Sequence, residues 1–153
     1  MHFDHSLLYL SQLKLLIMYP AELVKPMRED LTSVGFVELT NPDEVNSQVP
    51  NSESAVLIVN SVCGCAAANA RPGVKSSLIN DKKPVKLFTV FAGVDKEATD
   101  AARKLMIPFP PSSPCIAIFK DGDLVHMLER HHIEGRSAQM IAQNLAQAYE
   151  EFC

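Results

Sequence analysis

The apolar positions of this 153-residue chain change period several times, and each change marks an element. Leu23, Met27 and Leu31 recur at i, i+4 and i+8, laying one apolar stripe along a helix that has Pro26 near its start and ends at Gly35. "GFVEL" then reads as a short strand. In "NPDEV", Asn41 offers a side-chain cap, Pro42 fits the first helical position and Glu44 completes a capping box, so a short helix begins there and stops before Pro50. From Ala55 to Asn60 the run "AVLIVN" is continuously apolar and β-branched, the pattern of a strand covered on both faces and therefore central in its sheet.

A helix of small residues follows from Cys65 and meets Pro72, whose ring removes an amide donor and predicts a kink. A second apolar strand, "VKLFTVFAG", comes after Pro84. Asp95 is placed to cap a helix carrying Ala98, Ala101, Ala102 and Leu105 on one face, and "PFPPSSP" breaks that pattern. "CIAIF" and "LVHML" are two strands joined through "KDGD", with Asp121-Gly122 as a two-residue hairpin turn. The last helix starts at about Ser137 and repeats Ile141, Leu145, Ala148, Tyr149 and Phe152 along one side. The order describes an α/β chain: a β-α-β unit with a parallel crossover, then a hairpin and a closing helix, giving a central mixed sheet flanked by helices.

Composition narrows what such a chain does. With 47% hydrophobic and 21% charged residues it supports one globular domain with a core large enough to fold unaided. A net charge of −4, with no block of like charges, gives no basic footprint for nucleic acid. Residues 1–17, "MHFDHSLLYLSQLKLLI", are apolar, but Asp4 precedes the run, Lys14 interrupts it and no small-residue cleavage site follows; neither export nor a membrane span is expected. They read as an N-terminal extension, either an extra helix or a stretch ahead of a natural start at Met18, with the main domain over 18–153. Four cysteines are too few for a disulfide scaffold, which favours a reducing, cytoplasmic setting.

Two of those cysteines, Cys63 and Cys65, flank Gly64 between the buried strand and the small-residue helix. A closed zinc site needs four ligands, and Cys115, Cys153, His131 and His132 stand at no recognisable spacing from the pair. A structural bridge across one residue closes so small a loop that it removes little unfolded-chain entropy. The reactive reading has positive support: at the mouth of a helix, unpaired amide donors and the helix dipole lower a thiol's pKa from about 8.5 towards neutrality. Residues i and i+2 do not face each other on a helix, so a Cys63–Cys65 bridge requires Cys63 to lie just before the first turn, and Gly64 lends the freedom to close the ring. A bridge so strained is easily reduced.

The element order is that of the thioredoxin fold, and a cysteine pair after the central strand, a proline before the hairpin and the "FKDG" turn agree with it. In that fold the proline is cis and faces the pair, so the Ser113-Pro114 bond is expected to be cis. "YPAELVKPMREDLTSVGF", "VNSVCGCAAANARPG", "PFPPSSPCIAIFKDG" and "LVHMLERHHIEGR" further resemble the bacilliredoxin family, thioredoxin-like proteins with a C-G-C active site, from about Met18 to the C-terminus. The resemblance implies a thiol–disulfide oxidoreductase that removes bacillithiol from mixed disulfides on oxidised client proteins. It makes Cys63 the attacking thiolate and bacillithiol the co-substrate, with no bound cofactor, no metal, no nucleic acid and no membrane. Cys65 then resolves the adduct by closing the bridge, unless a second thiol does so. The alternatives are a disulfide isomerase or oxidase, and a metal-binding module using Cys63, Cys65 and Cys115.

Gly64, Ser113, Pro114 and Cys115 are expected to shape the site. Cys115 stands where the family resemblance implies serine or another small residue, and reads either as a third thiol or as a small apolar core residue. Cys153 reads as an incidental exposed thiol. His131 and His132 can hold a proton near the site or simply form a turn after the hairpin. Arg71 and Arg136 can attract ligand carboxylates or merely solvate a surface. Asn60 and Ser61 are candidates to hydrogen-bond the cysteine loop, and Phe109, Pro110, Pro111 and Ser112 to form an apolar lip beside Pro114.

Overall fold

The computed structural model describes residues 19–153, so the expectations for residues 1–17 lie outside the described residues. Helix α1 (Ala21–Thr32) leads into β1 (Val37–Glu38), α2 (Pro42–Gln48) and β2 (Ser54–Asn60). A helical segment opens at Gly64, passes through a π-helical turn (Ala66–Ala70) and continues as α3 (Arg71–Ser77). Strand β3 (Lys86–Phe91), α4 (Lys96–Leu105), the hairpin β4 (Cys115–Lys120) and β5 (Asp123–Leu128), the one-turn helix α5 (Arg130–Ile133) and α6 (Ala138–Phe152) complete the chain.

The five strands form one mixed sheet in the order β1-β3-β2-β4-β5. β2 runs parallel to β3 and antiparallel to β4, which pairs in turn with β5. Every residue of β2 is buried, as its unbroken apolar run predicts. Its alternation divides the core in two. Ala55, Leu57 and Val59 face a cluster with Val45, Val49, Ala98, Ala102 and Met106, beneath α2 and α4. Val56 and Ile58 face Leu31, Val74, Ile141, Leu145 and Tyr149, beneath α1, α3 and α6. One strand thus supplies both core layers and delivers its C-terminal end, where the cysteines follow, to an edge framed by helices from both sides.

Local signals behave as their chemistry dictates, with informative exceptions. Asn41 Oδ1 accepts from Glu44 N at 2.9 Å, while the Glu44 carboxylate accepts from Thr40 N rather than the Asn41 amide. Asp121 and Gly122 both take positive φ, 50° and 85°, as a two-residue turn between right-twisted strands requires. In α1 Leu31 is buried and Met27 partly buried, as the stripe predicts, but Leu23 is half exposed and Val24 takes its place in the core. Asp95 stands at the start of α4 without a side-chain cap, because its carboxylate is drawn to Arg28 at 2.9 Å. At Pro72 no simple kink forms; the π turn ahead of it widens the helix, with Arg71 N reaching Ala66 O, so the missing proline donor is absorbed where the hydrogen-bond pattern has already shifted.

Candidate active site

The cysteine loop is held from below by a buried ion. Arg71 is only 5% exposed, against the surface role that an arginine usually plays. Its Nε donates to Asp30 Oδ2 at 3.1 Å, and its Nη1 donates to Asn60 Oδ1 at 3.0 Å and to Ser61 O at 3.1 Å. Asp30 also receives Lys75 Nζ at 2.7 Å. Burial works to raise the Asp30 carboxyl, but the Lys75 and Arg71 cations prevail and hold it below the usual carboxylate range. Asn60 closes the set, accepting from Ser61 N at 2.9 Å and donating to Met27 O at 3.1 Å. The end of β2 is therefore tied to α1 and α3 by a network in which every named donor has an acceptor.

Cys63 lies immediately before the first helical turn, and its carbonyl accepts from Ala66 N at 3.0 Å and Ala67 N at 3.3 Å. Its own amide donates to Ser61 Oγ at 3.3 Å. Partial burial acts to raise the Cys63 thiol, yet hydrogen bonds from the Cys65 thiol, the Ala66 amide, the Ser61 hydroxyl and the Cys65 amide outweigh it, so its pKa falls below the ordinary thiol value. The converse holds for Cys65. Hydrogen bonding to Cys63, then burial and the negative charge on Cys63, raise its pKa, so it keeps its proton while Cys63 is charged. Cys65 Sγ also donates to Glu134 Oε1 at 3.6 Å, which further favours the protonated thiol. Gly64 takes no left-handed conformation, and a Cβ built on it meets nothing within 4 Å. In this dithiol form the backbone does not require a glycine there.

Ser113-Pro114 is cis, as expected, and Ile107-Pro108 is cis as well. Ser113 shares with Cys63 a cavity of about 310 Å³, whose polar wall includes Tyr19, Ser61, Arg103 and Arg130. Val62, Ala92 and Gly93 complete the lining. Arg130 Nη1 donates to Ser113 O at 3.3 Å, and its Nε donates to Glu134 Oε1 at 2.5 Å. It also feels the charge of both active-loop thiols.

Cys115 stands apart from this opening. It pairs in register with Val59, is 1% exposed, and places its Sγ 3.9 Å from Met106 Sδ. Burial pushes its pKa up to about 12, which is the small-apolar-core reading. Among the described residues, the three His, Cys, Asp or Glu donors that approach within 4.8 Å of one another are Glu129, His131 and His132, not the three thiols. Those histidines form α5: His132 Nδ1 accepts from the Glu129 amide at 3.0 Å, and burial, followed by the neighbouring His131, holds its pKa below the usual value. Cys153 is half-buried rather than exposed, and burial raises its thiol. Of the residues expected to form a lip beside Pro114, Phe109 lines a different groove, with Leu124 and Met127 of β5, while Ser112 Oγ accepts from Arg130 N at 3.3 Å. Arg136 meets this region through its backbone, its carbonyl accepting from Asn69.

Sequence reasoning missed Arg103, Arg130 and Glu134. Glu134 and Arg130 sit one turn apart, a spacing that signals an ion pair, but nothing local says that the pair abuts the cysteines. A mixed sheet of this topology, with a free thiol pair after its central strand and a cis proline on the neighbouring strand, defines a thiol–disulfide oxidoreductase of thioredoxin fold. Solved structures agree on the fold. Oxidised mitochondrial thioredoxin 3 of Saccharomyces cerevisiae superposes with a TM-score of 0.54 at 19% identity, over 80% of this chain and 98% of that one. Oxidised thioredoxin O2 of Arabidopsis thaliana gives 0.56 at 21% identity, over 76% and 96%.

The sequence comparisons are more specific. Residues 19–153 match the family described as Disulphide isomerase. A bacilliredoxin of Cytophaga hutchinsonii is 57% identical over 134 residues, covering 88% of this chain and 99% of the relative. One of Salinibacter ruber is 49% identical over 138 residues, covering 88% and 81%. The chain belongs to the bacilliredoxin family.

Proposed function

We propose that this oxidoreductase removes bacillithiol from mixed disulfides on oxidised client proteins in the cytoplasm, with Cys63 as nucleophile. The observation that carries the reading is the setting of Cys63: a thiol held below its ordinary pKa by four donors, opening on a cavity sized for a small thiol. The Cys63 thiolate attacks the bacillithiol sulfur of the mixed disulfide; the client–bacillithiol S–S bond breaks, and the client leaves as its thiolate. Cys63 then carries bacillithiol as a new disulfide. Cys65, once its proton passes to solvent, attacks Cys63 Sγ, closes the C-G-C bridge and expels bacillithiol thiolate. An external thiol restores the dithiol.

A client peptide blocked with bacillithiol, incubated with Cys65→Ala protein, should transfer the blocking group to Cys63, read as an adduct of bacillithiol mass by intact and peptide mass spectrometry. Absence of that adduct sinks the proposal. The match to the family described as Disulphide isomerase supports a second reading, in which the same pair shuffles client bridges. Faster recovery of a scrambled disulfide protein than of a bacillithiolated one would favour it.

A further inference from the structure

Two guanidinium groups, Arg103 from the last turn of α4 and Arg130 from α5, line the cavity beside Cys63. Among the described residues, none that lines this cavity carries a carboxylate, although the whole chain has a net charge of −4. Arg130 is partly neutralised by Glu134. Arg103 is different: among the described residues its Nε is buried without a hydrogen-bond partner, and no ion pair engages it. With no described carboxylate paired to it, the part of this cation that lines the cavity is left to form a charge-assisted bond when a ligand carboxylate arrives. At about 310 Å³ the space suits a small molecule rather than a protein segment.

Resting on the de-thiolating reading above, we infer that Arg103, together with Arg130, binds a carboxylate of the low-molecular-weight thiol in the mixed disulfide. The small thiol, not the client, therefore occupies the cavity. This fixes which sulfur reacts: the bacillithiol sulfur lies against Cys63 Sγ, the client sulfur faces out and leaves as thiolate, and the small thiol ends on Cys63. Attack on the client sulfur would instead leave the client tethered.

The test uses one peptide blocked either with bacillithiol or with uncharged 2-mercaptoethanol, and follows second-order transfer to Cys63 in Cys65→Ala protein. Loss of one charge-assisted bond at a partly open site should make Arg103→Gln about tenfold slower with the bacillithiol donor and less than twofold slower with the neutral one. Arg103→Lys, which keeps the charge without the fork, should fall between. Raising the salt from 0.05 to 0.5 M should slow only the bacillithiol donor. An unchanged ratio of the two rates in Arg103→Gln overturns the subsite, as does equal slowing of both. Failure of the unsubstituted Arg103 protein to take bacillithiol at all would instead remove the functional reading on which the subsite rests.

Discussion

Cys63 and Cys115 sit one strand apart at the same edge of the sheet, Cys115 paired with Val59 only four residues before Cys63, yet their thiols move in opposite directions. Burial acts upwards on both. At Cys63 it meets two backbone amides, a hydroxyl and a second thiol that favour the charged form. At Cys115 the Arg103 charge, the Ser112 hydroxyl and the Val59 amide also act downwards, but the thiol is almost fully enclosed beside Met106 and burial wins. Neither proximity to an active site nor a donor or two at the sulfur makes a thiol reactive; the balance of donors against burial does.

The sharpest way to break this contrast is to exchange the nucleophiles. Cys63→Ser should abolish transfer, whereas Cys115→Ser should leave the transfer rate unchanged, both measured as adduct formation. If Cys115 instead took the adduct, the assignment of roles would be reversed. Next in size is alkylation. With its pKa pushed up to about 12, roughly one Cys115 in ten thousand is thiolate at pH 8. Iodoacetamide should therefore label Cys63 first and reach Cys115 only on unfolding, as resolved by peptide mass spectrometry.

The support under the loop should register in stability. Arg71→Met strips Asp30, Asn60 and the Ser61 carbonyl of a buried donor, and should cost about 2–3 kcal/mol in urea unfolding. Cys115→Ser places a hydroxyl beside Met106 and should cost about 1–2 kcal/mol by the same measurement. The smallest effect is the most diagnostic. Removing the Ser61 hydroxyl in Ser61→Ala withdraws one donor from the thiolate, so the Cys63 pKa rises and the pH–rate midpoint moves up. Transfer slows at pH 6 and is little changed well above the midpoint. A midpoint that stayed put would show that the amides and Cys65 suffice.

The framework was legible because it rests on local chemistry: an unbroken apolar run in β2, the Asn41 cap, the Asp121-Gly122 turn. The cysteine pair was legible for the same reason. What escaped was assembled from distant segments. Arg71 reads as a surface cation until Asp30, 41 residues earlier, and Asn60 close around it. Asp95 reads as a cap until Arg28 competes for its carboxylate. Arg103 and Arg130 reach Cys63 only because α4 and α5 converge on the end of β2. Long side chains that find partners across the fold leave no periodic trace in the sequence.

The π turn over Ala66–Ala70 carries a consequence for how relatives are compared. A π turn spends one more residue per turn than an α turn, so the surplus residue is taken up inside the wider turn and the helix on either side keeps its phase. Removing one alanine from "AAANA" would restore an ordinary helix and leave Gly64 and Cys65 in nearly the same direction relative to Val74 and the α6 face. A one-residue gap between relatives in this plain stretch is therefore one the fold absorbs. The same gap placed beside the cysteines has no wide turn to take it up and redirects the second thiol.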